Sequence, residues 1–325
     1  MTAPLSSEHW TDTAFALGVR PGDRVCVVGS GGKSTLISAL AACFPAIPVL
    51  CGTTTRIFPP SPETYLAFLN EETSVNLLRA WATPTSDTER KPPRPGVYLA
   101  GMRPDHLHLP EREAGAEDLG LLPAVEESPK PEAPSATELQ RFMSALAGQP
   151  DSALSAEEAE AAMAAFKLRG LSEDMYARLS MPDGPFRLLL LEADGSRMRP
   201  LKGWKGHEPV IPAWATRSIG VIPVRQLGKP LKAGDVHRQE IFCALTGARV
   251  GRILRAEHLA AAISGPKGMF ARARGRLALF FSQAEDAAAL EQAREVLRAL
   301  PETFLQRLDR VAAGSALLGR AARLL

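Results

Sequence analysis

Cysteine is scarce. Four residues, Cys26, Cys43, Cys51 and Cys243, occur in 325, and no two form a C-x-x-C pair. That argues against a disulfide framework or a thiolate metal site and leaves free core thiols in a reducing compartment as the expectation. Charge of one sign is scarce too. The formal net charge is +2, so no global field draws the chain to nucleic acid or to a membrane surface. No apolar run approaches the length of a bilayer span. The opening Met-Thr-Ala-Pro lacks a basic-then-apolar leader. The expected class is a cytoplasmic globular protein with no membrane or nucleic-acid partner.

Against this background one stretch stands out, Val25-Cys26-Val27-Val28-Gly29-Ser30-Gly31-Gly32-Lys33-Ser34-Thr35. A short apolar run reaches a glycine-rich turn. Leu36, Ile37, Leu40, Ala41 and Phe44 then follow at helical spacing. Strand, loop and helix in that order form the context of a phosphate-binding loop. The loop has two residues between its first glycine and Gly-Lys where the usual pattern has four. Its glycines let a phosphate approach the main chain, and the first N–H groups of the helix have no internal partner. Lys33 is expected to bring positive charge to the terminal phosphates, and Ser34 to place a hydroxyl on Mg²⁺. The whole loop from Gly29 to Thr35 is expected to hold the nucleotide.

The chain around this loop reads as α/β, a mainly parallel, doubly wound sheet with helices on both faces and an inserted segment. Residues 1–83 comprise an N-terminal helix and the phosphate-loop βαβ part. The helix is capped by Ser6 or Ser7, carries Trp10 and is closed by Gly18. Ile47 to Cys51 is a short buried strand that ends in Thr53-Thr54-Thr55-Arg56. Hydroxyls at such a strand end suit a ligand, and Thr54 and Thr55 are the expected contacts to the γ-phosphate or Mg²⁺. Residues 84–185 are an insertion. Ten prolines fall between 84 and 134, with acidic residues clustered from Glu111 to Glu132, which reads as a solvated, partly disordered excursion. Within it Val97 to Ala100 is a candidate strand. Two helices follow at 137–147 and 155–169. Residues 186–325 complete the nucleotide-binding domain.

Four consecutive leucines, Leu188 to Leu191, mark a strand buried on both faces, and Glu192 and Asp194 follow at its tip. Hard oxygen ligands opposite a phosphate loop suit Mg²⁺. One acid is expected to complete the metal site with Ser34, and the other to orient a water or substrate group. Clustered cations come next, among them Arg197 and Lys202, and then His207, a candidate general base or metal ligand. Together they suit an anionic second substrate. Further strands are expected at 219–224, at 277–281 and near 311–313. Helices are expected from Asp235 to Leu245, with His237 and Arg238 at its start, and after Asp286.

Several landmarks together resemble one family. Gly-Ser-Gly-Gly-Lys-Ser-Thr (29–35), Thr-Thr-Thr-Arg (53–56), Leu-Glu-Ala-Asp-Gly-Ser-Arg (191–197), Arg-Pro-Leu-Lys (199–202), His-Glu-Pro-Val-Ile-Pro (207–212) and Leu-Gly-Lys-Pro-Leu (227–231) are similar to segments of the selenium-dependent molybdenum hydroxylase accessory proteins of the YqeC type. Val-His-Arg-Gln-Glu (236–240) and Gly-Pro-Lys-Gly-Met-Phe (265–270) extend the likeness. The resemblance implies a cytosolic P-loop protein that uses Mg²⁺ with ATP or GTP. Its implied partners are a molybdopterin-type cofactor and a molybdenum hydroxylase, whose selenium-modified cofactor it helps to mature. In that reading Lys33, Glu192, Asp194 and His207 are the catalytic set. A nucleotide-gated cofactor carrier without chemistry on the cofactor, and a ligase or kinase acting on another anionic metabolite, are the alternatives. The short loop is also similar to that of Mur-type ligases. One departure concerns the base. The family often carries an Asn-Lys-x-Asp-like end on its late strand, and this chain has Ser282-Gln283-Ala284-Glu285.

Overall fold

The apolar runs of the sequence become strands in the computed structural model, which describes residues 10–57, 65–82, 92–102 and 167–325. Strand β1 (Trp10–Asp12) leads into helix α1 (Thr13–Leu17). The expected helix through Trp10 is corrected by this boundary. Asp12 caps α1, its Oδ1 accepting from Phe15 N at 2.7 Å. Trp10 lies in the strand, its ring 4.9 Å from the Arg320 guanidinium. Gly18 ends α1 in a left-handed conformation, as expected. Ser6 and Ser7 lie outside the described residues.

Next come β2 (Arg24–Gly29), α2 (Lys33–Ala42), β3 (Pro48–Thr53), β4 (Ala67–Leu69), α3 (Glu71–Ala82) and β5 (Gly96–Ala100). Most of the proline-rich stretch, the helix expected at 137–147 and residues 155–166 of the next lie outside the described residues. The end of that second helix is corrected, since Leu168–Arg169 pair antiparallel with Arg56–Ile57 as a two-residue strand. The chain continues through α4 (Glu173–Ser180), β6 (Leu188–Glu192), β7 (Arg217–Pro223), α5 (Gln239–Thr246), α6 (Ala256–Ser264), β8 (Arg276–Ser282), α7 (Ala287–Ala299), β9 (Leu308–Ser315) and β10 (Arg320–Arg323). Helix α5 starts four residues later than the expected Asp235. Val236–His237 instead pair in parallel with Leu201–Lys202, and Arg238 takes the left-handed conformation, φ +59°, before the helix begins.

The chain divides into two units, Met1–Pro45 with Arg187–Leu325, and Ala46–Phe186. In the first, seven strands run in the order β1-β10-β9-β8-β7-β2-β6. The five from β9 to β6 are parallel to their neighbours. β10 pairs antiparallel with both β9 and β1, an edge the sequence reading does not anticipate. The sheet is thus α/β and mostly parallel. Every residue of β6 is buried, so the leucine run is covered on both faces. Helix α2 packs on β2 and β6 through Leu36, Ile37, Leu40 and Ala41. Val221 pairs with Gly29, and Val27 with Glu192. The carboxyl ends of β7, β2 and β6 therefore finish side by side, which is where parallel sheets bind ligands.

The second unit holds three parallel strands in the order β3-β5-β4, with α3 packed on α4. Tyr176 of α4 organises it. Its hydroxyl accepts from Thr53 N at 3.2 Å and Leu171 N at 3.3 Å, and donates to Ala100 O at 3.1 Å. Burial pushes this phenol up to about 12, so the donor keeps its proton. All four cysteines are free, and burial pushes Cys51 up to about 12. Among the described residues no helix is long and apolar enough to cross a membrane.

Candidate functional site

The turn between β2 and α2 is shaped by glycine. Gly29 sits at φ +103° with the Val221 carbonyl standing where a Cβ would project, and Gly32 sits at φ +126°. No L side chain fits the first position or adopts the second without strain. Two serines brace the loop. Ser30 N donates to Val221 O at 2.9 Å while its hydroxyl donates to Pro200 O at 2.8 Å. Ser282, at the tip of β8, donates to Gly31 O at 2.7 Å. The late-strand residue that departs from the family pattern is thus a brace for the loop. Gly32 caps α2 without any side-chain hydrogen bond, so the first-turn amides of a ten-residue helix face the loop. That is a site for an anion.

Lys33, the first residue of α2, points inward and is only 4% exposed. Its ammonium donates to Gly29 O at 2.9 Å and lies 3.5 Å from both Glu192 Oε1 and Asp194 Oδ1. Burial alone would lower this amine, but Glu192 and Asp194 outweigh it and hold the ammonium above the ordinary lysine value. Ser34 and Thr35 are exposed. The Ser34 hydroxyl donates to Glu192 Oε2 at 2.7 Å. The sequence expectation that the loop and the two acids converge is met to within hydrogen-bonding distance.

The two acids differ. Glu192 touches the exposed Ser34. Asp194 is fully buried, and both its oxygens are engaged. Gly29 N donates to them at 3.1 and 3.2 Å, and Trp204 Nε1 donates to Oδ2 at 2.8 Å. Lys202 Nζ lies 3.1 Å from the same Oδ2. Asp194 therefore anchors the loop and is not an open metal ligand. Ser34 and Glu192, bonded to one another, are the oxygen pair that could hold a divalent ion. Among the described residues no cluster of three or more histidine, cysteine or acidic side chains could hold a metal. A hydroxyl and one carboxylate fit Mg²⁺, which keeps several waters and takes further oxygens from phosphate.

The remaining expected residues fall in different settings. Lys202, expected to face a second substrate, is fully buried between Asp194 and Glu208, whose Oε1 lies 3.5 Å from its Nζ. Glu208 in turn is paired with Arg238 through both carboxylate oxygens. His207 and Arg197 are exposed. Thr54 and Thr55 belong to the second unit and are half-buried. There Thr55 N donates to Thr53 Oγ1 at 3.0 Å, and the Thr53 and Thr55 hydroxyls lie 3.2 Å apart. Trp204, Glu208, Arg238 and Ser282 are site residues that sequence reasoning missed. Glu208 and Arg238 do fall in quoted motifs, but nothing local marks them as partners.

His237 is 7% exposed. Burial first, then the charges of Arg238, Arg197 and Lys202, pull its imidazole down to about 3, with Glu208 opposing. Above about pH 6.5 the ring is neutral in the folded and the unfolded chain. Between there and about 3 the unfolded chain takes up a proton that the folded chain refuses, so stability falls with pH. His258, also lowered, adds to the same limb. His237→Gln should therefore flatten the unfolding midpoint plotted against pH from about 6 to 4. A slope equal to that of the wild type would refute this.

Comparison with known proteins identifies the family. The family described as YqeC protein matches residues 25–109 and 129–240, more than half of the chain. The "Uncharacterized protein YqeC" of Escherichia coli (strain K12) is 37% identical over 83 residues, 26% of this chain and 32% of that protein. The aligned stretch thus spans about a third of the relative's length. No solved structure matches the chain.

Proposed function

The chain belongs to the YqeC protein family, and on that footing we propose that it binds and hydrolyses a magnesium–nucleoside triphosphate, ATP or GTP, to drive maturation of the cofactor of a selenium-containing molybdenum hydroxylase. One observation carries the nucleotide reading. The loop lysine lies 3.5 Å from each of two strand-tip acids, and the adjacent serine hydroxyl donates to one of them. The hydroxylase reading rests on the family resemblance.

Phosphoryl transfer asks mainly for positioning and charge stabilisation. In this reading the first-turn amides of α2 take the phosphate oxygens, and Lys33 neutralises charge at the β/γ bridge. Ser34 and Glu192 would hold Mg²⁺, which would offset the phosphate charge. Glu192 also accepts the Ser34 hydroxyl proton and so fixes that side chain's rotamer. Arg197 and His207, both exposed, are the groups left to meet an anionic second substrate of the molybdopterin type.

The test is a calorimetric titration with ATP, GTP and CTP, each with Mg²⁺, followed by phosphate release. One triphosphate should bind and be hydrolysed, and binding of none would sink the reading. Glu192→Gln keeps the shape of the acid and removes its charge. It should raise the Mg²⁺ concentration needed for half-maximal hydrolysis by about 10- to 100-fold, the range for disturbed surroundings of a metal ligand. An unchanged Mg²⁺ requirement would place the ion elsewhere.

A further inference from the structure

Two lysines reach Asp194, and only one of them is in a position to serve a ligand. Lys33 stands at the first turn of α2, beside the loop amides. Lys202 is 0% exposed and sits on the two-residue strand paired with Val236–His237. Gly203 N ties the end of that strand to His237 O at 2.8 Å. Its ammonium is 3.1 Å from Asp194 Oδ2 and 3.5 Å from Glu208 Oε1, and Glu208 is itself held by Arg238. If Lys33 swings to a phosphate it withdraws one of the two positive charges beside Asp194. A carboxylate sealed from water is costly to leave without a cation and would be displaced. Displacement would loosen its grip on Gly29 N, which shapes the loop.

We propose that Lys202 is the resident counter-ion of Asp194, a positioning residue that keeps this carboxylate in place and bonded to the loop while Lys33 turns to the phosphates. The role rests on the nucleotide reading above. It reassigns a cation that, from sequence, was expected to meet substrate. Burial holds the Lys202 ammonium below the ordinary lysine value, with Asp194 and Glu208 opposing, so what fits it for the role is its place between the two acids. Trp204, two residues further on, adds a neutral donor to the same oxygen.

The experiment compares the full-length wild type with Lys202→Met and with the double variant Lys202→Met/Asp194→Asn. It uses the magnesium complex of a non-hydrolysable analogue of whichever triphosphate the wild type binds, and thermal unfolding is measured alongside. Removing the counter-ion should weaken binding about tenfold or more, since it breaks the buried ion pair that holds the loop's anchor. Removing the carboxylate's charge as well should restore most of that affinity. Lys202→Met that binds like the wild type overturns the role. So does a double variant no tighter than the single one, because a purely structural lysine gives no such rescue.

A second measurement reads the wild type itself and uses a variant only to assign one resonance. The Trp204 indole N–H, assigned in wild-type spectra by its absence in Trp204→Phe, should remain protected from solvent exchange when the analogue binds. Loss of that protection would show Asp194 leaving its place and would overturn the proposal. Failure of the nucleotide reading looks different, since the wild type itself then takes no triphosphate.

Discussion

Lys33→Ala should lower triphosphate affinity and turnover together by roughly 100- to 1,000-fold, the loss typical of one preorganised charge-stabilising group, while the protein stays folded. The two halves of that expectation have separate grounds. The ammonium stands at the first turn of α2, bonded to the loop at Gly29 O, so in the proposed reading binding and reaction would both depend on it. The fold does not, because each acid that Lys33 touches keeps another partner. Glu192 retains the Ser34 hydroxyl, and Asp194 retains Lys202, Trp204 and Gly29 N. Titration calorimetry and phosphate release measure the first half, and thermal unfolding the second. Hydrolysis at the wild-type rate in a clean preparation would remove the loop from the mechanism.

Asp194→Ala should do the reverse and damage the fold first. A buried ion pair adds little net stability when intact, but removing one partner costs about 3–5 kcal/mol. Here the carboxylate serves two ammonium groups and two N–H donors, and no water reaches it. Its removal leaves Gly29 N and Trp204 Nε1 without the acceptor they share, at about 1–3 kcal/mol for each buried donor. Lys33 and Lys202 would then face one another across the vacated place. The midpoint of chemical unfolding should fall well below that of Lys33→Ala. Equal midpoints for the two variants would mean that Asp194 is not the anchor described.

The parts of the site that were legible in the sequence are those whose causes are local. A loop that needs left-handed backbone at Gly29 and Gly32 announces itself as glycine, and the helix after it shows its apolar spacing. The β6 strand was legible because a parallel strand covered on both faces has no polar side to show, hence four leucines. The roles of the cations were not legible. Arg197, Arg199, Lys202 and Lys205 look alike along the chain. What separates Lys202 from the rest is the pairing of residues 201–202 with 236–237, which no neighbouring residue encodes. The same pairing delays α5 and draws His237 into a strand. β10 escaped notice for another reason. Arg-Ala-Ala-Arg carries no β-branched or aromatic residue, and only its place between β9 and β1 makes it a strand.

Lys33, Lys202 and Arg238 carry three positive charges, and Glu192, Asp194 and Glu208 carry three negative ones, linked in a single chain of ion pairs. The ensemble is electroneutral before any guest arrives. A polyphosphate alone would leave it several charges in deficit within a poorly polarisable setting. In the proposed reading the guest would therefore come with its own compensating cation, and selection would fall on the metal-complexed form over the bare anion.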